Sequence, residues 1–125
     1  MIKVGEINPE LFINLSPIST KDVVITDKQI EHIMKRHPQD YERYSMHIPQ
    51  ILIEPDYIIM ANKPNSAVLL KEFIVNNERF QLVLRLKTTD DPATYQNSII
   101  TFLKIRAKEW NRLINNKIIL YKTKQ

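Results

Sequence analysis

Histidine, lysine, arginine and hydroxyl side chains give this sequence its most informative chemistry. The candidate catalytic residues are His37, Lys71, Arg85, Ser98 and Thr101. A histidine titrates near neutrality and is the usual proton-transfer group. Arginine presents a planar fork that matches a phosphate, and hydroxyl groups can hydrogen-bond the same oxygens. The set therefore suits chemistry on a phosphate ester.

Four further residues are candidate substrate contacts, namely Arg36, Lys87, Lys104 and Trp110. Each candidate also has a purely structural interpretation. His37 could simply close a helix, and cations on strands often lie on a solvated face. A lone Trp in a short amphipathic helix is usually part of the core.

The composition excludes several classes of function. The chain has 125 residues, no Cys, one Gly (Gly5) and a formal net charge of +4. Thiolate chemistry and Gly-rich phosphate loops are therefore excluded, and the charge mildly favours a polyanionic partner. His32 and His37 are five residues apart, roughly 140° around a helix, so a shared metal is not expected. We expect no cofactor.

The sequence predicts a protein without a membrane anchor that works in the cytoplasm. No apolar run approaches the roughly 18 residues of a membrane span, and the N-terminus lacks a signal-peptide core. Residues 24–125 are predicted to form a single domain. Residues 1–23 are loosely assigned as an N-terminal arm.

Two helical regions come first in the predicted domain. Thr26 and Gln29 form a capping box, and Pro38 ends the helix, which gives a first helix over about residues 26–37. Residues 40–53 form a second helical region with a break at Pro49.

Most of the remaining chain predicts strands. These are residues 57–60, 67–75, 80–88, 97–106 and 117–122, with a short helix over 108–115. Runs of helix followed by runs of strand predict an α+β fold. The N-terminal helices should cover one face of a four- to five-stranded antiparallel sheet, and the other face should be partly open.

Alternation along the strands assigns side chains to faces. It places Arg85 and Lys87 on one cationic face, and Ser98, Lys104 and Arg106 on another. Ser98 and Thr101, three residues apart, should then lie on opposite faces. A two-residue turn at Asn76-Asn77 pairs Lys71 with Leu82 and separates Lys71 from Arg85. A bulge or a longer loop would bring them together.

These residues together suit cleavage of RNA without a metal ion. The 2′-hydroxyl supplies the nucleophile, so the protein needs an acid/base and cations for the phosphorane-like transition state. The products would be a 2′,3′-cyclic phosphate and a 5′-hydroxyl. Two alternatives stay open, namely a non-catalytic nucleic-acid-binding module and a phage structural or interaction domain.

A family resemblance supports the nuclease hypothesis. The segments that carry it are, in order, IEHIMKRHP, ILIEPDYII, KPNSAVLLKEF, FQLVLRLKTTDDP and SIITFLKI followed by WNRLINNKIILYK. They resemble the phage-associated branch of the barnase–EndoU–colicin–RelE-like (BECR-fold) nucleases over about residues 24–122.

The resemblance implies a metal-independent, helix-then-sheet ribonuclease. Such proteins are toxins or effectors of phages and mobile elements, and they often act on tRNA in the bacterial host cell. It assigns the helix histidine to His37 with Arg36 beside it, the strand cations to Lys71 and Arg85, and the strand hydroxyl to Ser98 or Thr101. It also favours a shared face for Lys71 and Arg85. An immunity protein or a phage protein is the implied partner.

Overall fold

The fold is built on one seven-stranded sheet with the strand order β1-β2-β6-β5-β4-β3-β7. The computed structural model describes residues 1–15 and 17–124; Ser16 and Gln125, which the predicted arm and domain include, lie outside them. The strands are β1 (Ile2–Glu6), β2 (Asp22–Ile25), β3 (Tyr57–Met60), β4 (Ser66–Phe73), β5 (Glu78–Arg85), β6 (Asn97–Ile105) and β7 (Ile119–Lys122). The helices are α1 (Asp27–Arg36), α2 (Asp40–Tyr44), α3 (Ile48–Ile53) and α4 (Ala107–Asn116).

The α+β class is confirmed, but the sheet is larger than the predicted four or five strands. The additional strands β1 and β2 come from the N-terminal segment. They pair antiparallel with each other, and β2 then pairs parallel with β6. Ile7 and Phe12 are only 1% exposed in the core. Strand β1, the start of β2, and Ile7 and Phe12, all within the segment predicted as an arm, therefore belong to the sheet and its core.

Helices α1, α2 and α3 contribute to one apolar core with one face of the sheet, which we call the helical face. Thr26 caps α1 by accepting a hydrogen bond from the Gln29 amide at 3.1 Å. The buried side chains of Ile33 and Ile51 join one cluster with residues of that face, such as Leu69 and Leu82. Burial of these side chains, each worth about 2 kcal/mol, holds the helices in place.

Helix α4 packs on the opposite face, which we call the α4 face. Its buried residues Trp110 and Leu113 form a second cluster with Ile59, Val68 and Leu70 of the sheet. Trp110 meets Tyr57 edge to face, with ring centroids 5.8 Å apart. Only part of the α4 face is covered in this way, and two grooves remain on it.

The β4–β5 hairpin has a longer loop than the two-residue turn of the simplest register. Residues 74–77 connect the strands, and Asn77 takes the left-handed conformation at φ 52°. Lys71 consequently pairs with Phe80, and Ser66 pairs with Arg85. The register moves by two residues, which preserves the alternation. Lys71 and Arg85 therefore lie on opposite faces, and the expectation of a shared face is wrong.

A bulge in β6 changes the faces of its side chains. Val83 of β5 is opposite Thr101, whereas the next residue, Leu84, is opposite Ile99. The extra residue, Ile100, resets the alternation. Ser98 and Thr101 therefore share the α4 face, contrary to the expectation from simple alternation.

The bulge also moves Lys104 away from the predicted cationic face. Lys104 is opposite Phe80 on the helical face. Its ammonium lies 5.3 Å from the centroid of the Tyr44 ring and 3.6 Å from the Glu78 carboxylate. Lys104 is thus not part of a basic surface shared with Ser98.

Asn97 joins the N-terminal segment to the strands at the centre of the sheet. Its side chain is fully buried. Its amide nitrogen donates to the carbonyls of Thr20 and Asp22 at 2.7 and 3.0 Å, and its oxygen accepts from the Lys87 amide at 2.7 Å. One side chain therefore fixes the ends of β2, β5 and β6 relative to one another.

We predict that Asn97→Ala destabilises the protein strongly. A buried polar group left without its partner costs about 1–3 kcal/mol, and this change orphans three backbone groups. The loss in unfolding free energy should be at least about 2 kcal/mol, measured by chemical denaturation. Asn111→Ala on the exposed side of α4 is the control and should stay within about 0.5 kcal/mol. Equal effects of the two changes would contradict this role.

Candidate functional site

A row of side chains crosses five strands on the α4 face. The pairs Lys3–Val24, Val24–Ser98, Ser98–Arg85 and Arg85–Ser66 are each directly opposite in the sheet. Directly paired residues share a face, and neighbouring strands are about 4.8 Å apart, so the row spans roughly 19 Å. Arg85 is the cation nearest its centre.

The guanidinium of Arg85 is held in one orientation by the loop that follows β5. Its Nη1 and Nη2 groups donate to the two carboxylate oxygens of Asp91 at 3.2 and 3.0 Å. Nη1 also donates to the carbonyl of Leu86. The ring centroid of Tyr95 lies 5.9 Å from Cζ. Arg85 is therefore positioned before any ligand arrives.

Arg85 keeps donors for a ligand in spite of these bonds. A guanidinium has five N–H groups, and the described residues engage three of them. Nε–H and one Nη2–H remain, and the planar fork directs this pair toward two oxygens of a phosphate or carboxylate. The side chain is 30% exposed, so Arg85 is partly open to solvent.

Asp91 is the residue that fixes this geometry. Besides Arg85, it accepts hydrogen bonds from the backbone amide and the hydroxyl of Thr88 at 2.8 and 3.3 Å. The Arg85 guanidinium and then the Thr88 amide lower the pKa of the Asp91 carboxyl below its ordinary value. Asp91 is therefore ionised at neutral pH and orders both the loop and the arginine.

The first groove on this face, the Lys63 groove, lies between α4 and the turn that joins β3 to β4. Its volume is about 340 Å³. Lys63, Arg112 and Lys117 line it together with Ser66 and Gln81. Arg112 donates to both carboxylate oxygens of Glu109 at 2.6 and 2.9 Å, so the positive charge of the groove comes from Lys63 and Lys117. Ser66 is the residue directly opposite Arg85. The groove thus extends the positive charge of Arg85 along the sheet.

The second groove, the Tyr95 groove, lies beside β1 and β2 and has a volume of about 320 Å³. Its polar lining residues are Lys3, Thr20, Asp22, Lys87, Tyr95 and Gln96. The charge here is more balanced, because Lys3 pairs with Asp22 at 3.2 Å and with Glu6 at 3.1 Å. Arg85 lies between the two grooves, since Ser66 lines the first and Tyr95 the second.

Lys71 is separated from this surface. Its ammonium is 3.4 Å from the Asp56 carboxylate, and its side chain is 14% exposed. Asp56 also accepts the Glu72 amide at 2.7 Å. The pair lies on the other side of the sheet from Arg85, so one phosphate cannot contact Lys71 and Arg85 together.

His37 lies at the other end of β6 from Arg85. It follows α1, and its carbonyl accepts the Asp40 amide at 3.1 Å. Asp40 in turn accepts the Lys104 amide of β6 at 3.0 Å. Because β6 is bulged, the separation is better counted on β5, where Phe80, the partner of Lys104, is five residues from Arg85, or roughly 17 Å at 3.3 Å per residue.

The remaining predicted contacts are scattered. Lys87 lines the Tyr95 groove and donates from Nζ to the Ser19 hydroxyl at 2.9 Å. Arg36 is exposed on α1, and Trp110 is 8% exposed in the second core cluster. Of the predicted residues, the structure therefore brings together Arg85, Lys87, Ser98 and Thr101 on one face.

Several residues of this surface were missed from the sequence, among them Lys63, Asp91, Tyr95 and Lys117. A signal existed for Asp91, because a carboxylate in the polar segment TDDPATY directly after β5 is within reach of the strand's last arginine. Lys63 and Lys117 had none, since only the packing of α4 brings the two turns that carry them together.

Cations gathered on one sheet face produce a positive potential that attracts anions. The chain also matches the model of a specific family, phage-Barnase-EndoU-ColicinE5/D-RelE like nuclease 2, over residues 7–122. It belongs to this nuclease family, which confirms the resemblance. The chain shows no significant similarity to a curated protein or to a solved structure. No helix within residues 1–15 and 17–124 is long and apolar enough to cross a membrane.

We predict that Asp91→Asn lowers the thermal midpoint at neutral pH, because it removes the charge that holds Arg85 and the loop. The lowered pKa of Asp91 means that its stabilisation is complete above the ordinary carboxyl pKa of about 4. It is lost as pH falls through the lower folded value.

The difference between the wild type and Asp91→Asn should therefore narrow as the pH falls below about 4, in thermal melts recorded across pH. Asp90→Asn alters the exposed neighbour and serves as the control, with no expected effect. A difference that does not change with pH would show that the Asp91 charge is not what stabilises the loop.

Proposed function

We propose that this chain is an endoribonuclease that binds the phosphate of an RNA strand at Arg85 on the α4 face. The observation that carries the proposal is the free edge of a guanidinium already fixed by Asp91, beside a groove that Lys63 and Lys117 line. Membership of a nuclease family supports the same ligand.

The cleavage we propose is a transesterification. The 2′-oxygen attacks the phosphorus, the bond from phosphorus to the 5′-oxygen breaks, and a 2′,3′-cyclic phosphate and a 5′-hydroxyl result. Water accepts the proton of the 2′-hydroxyl, and water returns a proton to the departing 5′-oxygen, so the step balances. Arg85 would stabilise the charge that develops on the phosphorane oxygens, and Lys63 and Lys117 would hold the neighbouring phosphates.

Ser66 and Ser98 are both directly paired with Arg85 and share the α4 face with it. Ser66 is buried at 4% exposure, whereas Ser98 is partly exposed. A hydroxyl there can donate to a phosphate oxygen or accept from a 2′-hydroxyl. We therefore propose Ser98 as the orienting hydroxyl, with Thr101 further along the same face.

We expect purified protein to cleave RNA in EDTA, with tRNA and total RNA as substrates and end-group analysis of the products. Arg85→Ala should reduce the rate at least about 100-fold, the usual effect of removing one donor to transition-state charge. Arg79→Ala is the matched control. It removes an arginine of the same strand and face, six residues along β5 from Arg85, that pairs with Glu72 at 2.9 Å.

A variant that keeps full activity without Arg85 would refute the proposed site. Intact RNA at saturating protein, with salt-dependent binding, would instead favour a non-catalytic binding module. A stable complex with another protein that is indifferent to Arg85→Ala would favour an interaction domain.

The prediction from the sequence that His37 is the proton-transfer group and the proposed site at Arg85 give opposite outcomes in one test. Roughly 17 Å separates the His37 end of β6 from Ser98, so the proposed site at Arg85 does not use His37. We expect His37→Ala to keep cleavage within about threefold, measured in the same assay, since the group would not touch the reacting atoms. A loss of cleavage comparable to that of Arg85→Ala would indicate that the active site lies at the α1 end of β6.

A further inference from the structure

We infer that the Tyr95 groove is a subsite for one unpaired nucleobase, next to the phosphate held by Arg85. The inference rests on the proposed function and deepens it, because it makes single-stranded RNA the substrate class. It starts from the contrast between the two grooves. The Lys63 groove keeps the charges of Lys63 and Lys117 after Arg112 pairs with Glu109, whereas the Tyr95 groove pairs Lys3 with Asp22.

The balance of charge decides which part of a nucleotide each groove fits. Phosphates carry the negative charge of RNA and favour the groove with unbalanced cations. A base is neutral and is recognised by hydrogen-bond donors and acceptors on its edge. The Tyr95 groove offers the Gln96 amide, the Thr20 hydroxyl and the Lys87 ammonium as such groups.

Tyr95 supplies the flat surface that a base requires. The residue is 49% exposed, and the guanidinium of Arg85 lies 5.9 Å from its ring centroid. Arg85 therefore covers one side of the ring, and a base can stack on the other. Stacking of bases on aromatic side chains is a main source of affinity for single strands.

The size and position of the groove agree with a single nucleotide. Its volume of about 320 Å³ is at the small end of ligand sites, which range over about 300–1,000 Å³. Its tyrosine and the phosphate-binding arginine are in contact, so the base and the phosphate could belong to the same or adjacent nucleotides. A base held in a duplex cannot enter, because it is already stacked and paired.

The test measures binding, which does not depend on cleavage. The probes are a fluorescent single-stranded 2′-O-methyl RNA, which cannot be cleaved, and a duplex of the same sequence, both followed by anisotropy at several salt concentrations. Tyr95→Leu should weaken single-strand binding at least about fivefold, and Tyr95→Phe, which keeps the ring, should stay within about twofold. Neither change should alter duplex binding.

The salt dependence separates a base contact from a phosphate contact. Tyr95→Leu should leave the slope of log affinity against log salt unchanged, whereas Arg85→Ala should reduce it by about one. A general unfolding of the loop would weaken both probes and change the slope, so it gives a different pattern.

Three results would overturn the inference. They are equal binding by Tyr95→Leu and Tyr95→Phe, equal weakening of single strand and duplex, or a changed salt slope in Tyr95→Leu. If single-strand binding depends on Arg85 but not on Tyr95, the base subsite fails and the proposed phosphate site stands. If neither probe binds the wild-type protein, the proposed function itself fails.

Discussion

The ion pair between Arg85 and Asp91 is the constraint on which the candidate site depends. The two carboxylate oxygens hold the guanidinium end-on, and the same carboxylate collects the amide and hydroxyl of Thr88. The segment after β5 is thereby folded back onto the strand, which places Tyr95 near the guanidinium. One short-range contact thus orients the cation and builds a wall of the neighbouring groove.

The alternation of side chains between the two faces of the sheet decides which cations can act together. A register change of two residues in the β4–β5 hairpin leaves every side chain on its original face. Lys71 and Arg85 therefore remain on different faces of the sheet. A bulge of one residue in β6 has the reverse effect and brings Ser98 and Thr101 to one face. Cations on alternate faces of a sheet cannot serve one ligand, however close they are in sequence.

Much of the secondary structure could be predicted because its signals are local. Thr26 caps α1 through a hydrogen bond to Gln29, and Pro49 divides the second helical region as its ring requires. The family could be identified for a similar reason, because its short motifs and their order can be read directly from the sequence.

The assembly of the site could not be predicted, because it depends on non-local pairing. Ile100 is an ordinary apolar residue, and nothing in its neighbours marks it as the extra residue of a bulge. The strand pairing of Asp22–Ile25 is with residues more than seventy positions away. Lys71 was predicted to bind phosphate because the sequence does not reveal its ion pair with Asp56, which lies in a different part of the chain.

The order of the strands in the sheet determines when, during synthesis, the fold can be completed. The first two strands of the chain are joined to the rest by β6, one of the last to be made, and Asn97 carries the joining hydrogen bonds. The Tyr95 groove takes residues from both ends of this long separation, from Lys3 and from Gln96. During synthesis on the ribosome, the N-terminal strands therefore wait for most of the chain to emerge. A nascent polypeptide interrupted before β6 carries Arg85 but has no complete surface on which to hold a ligand.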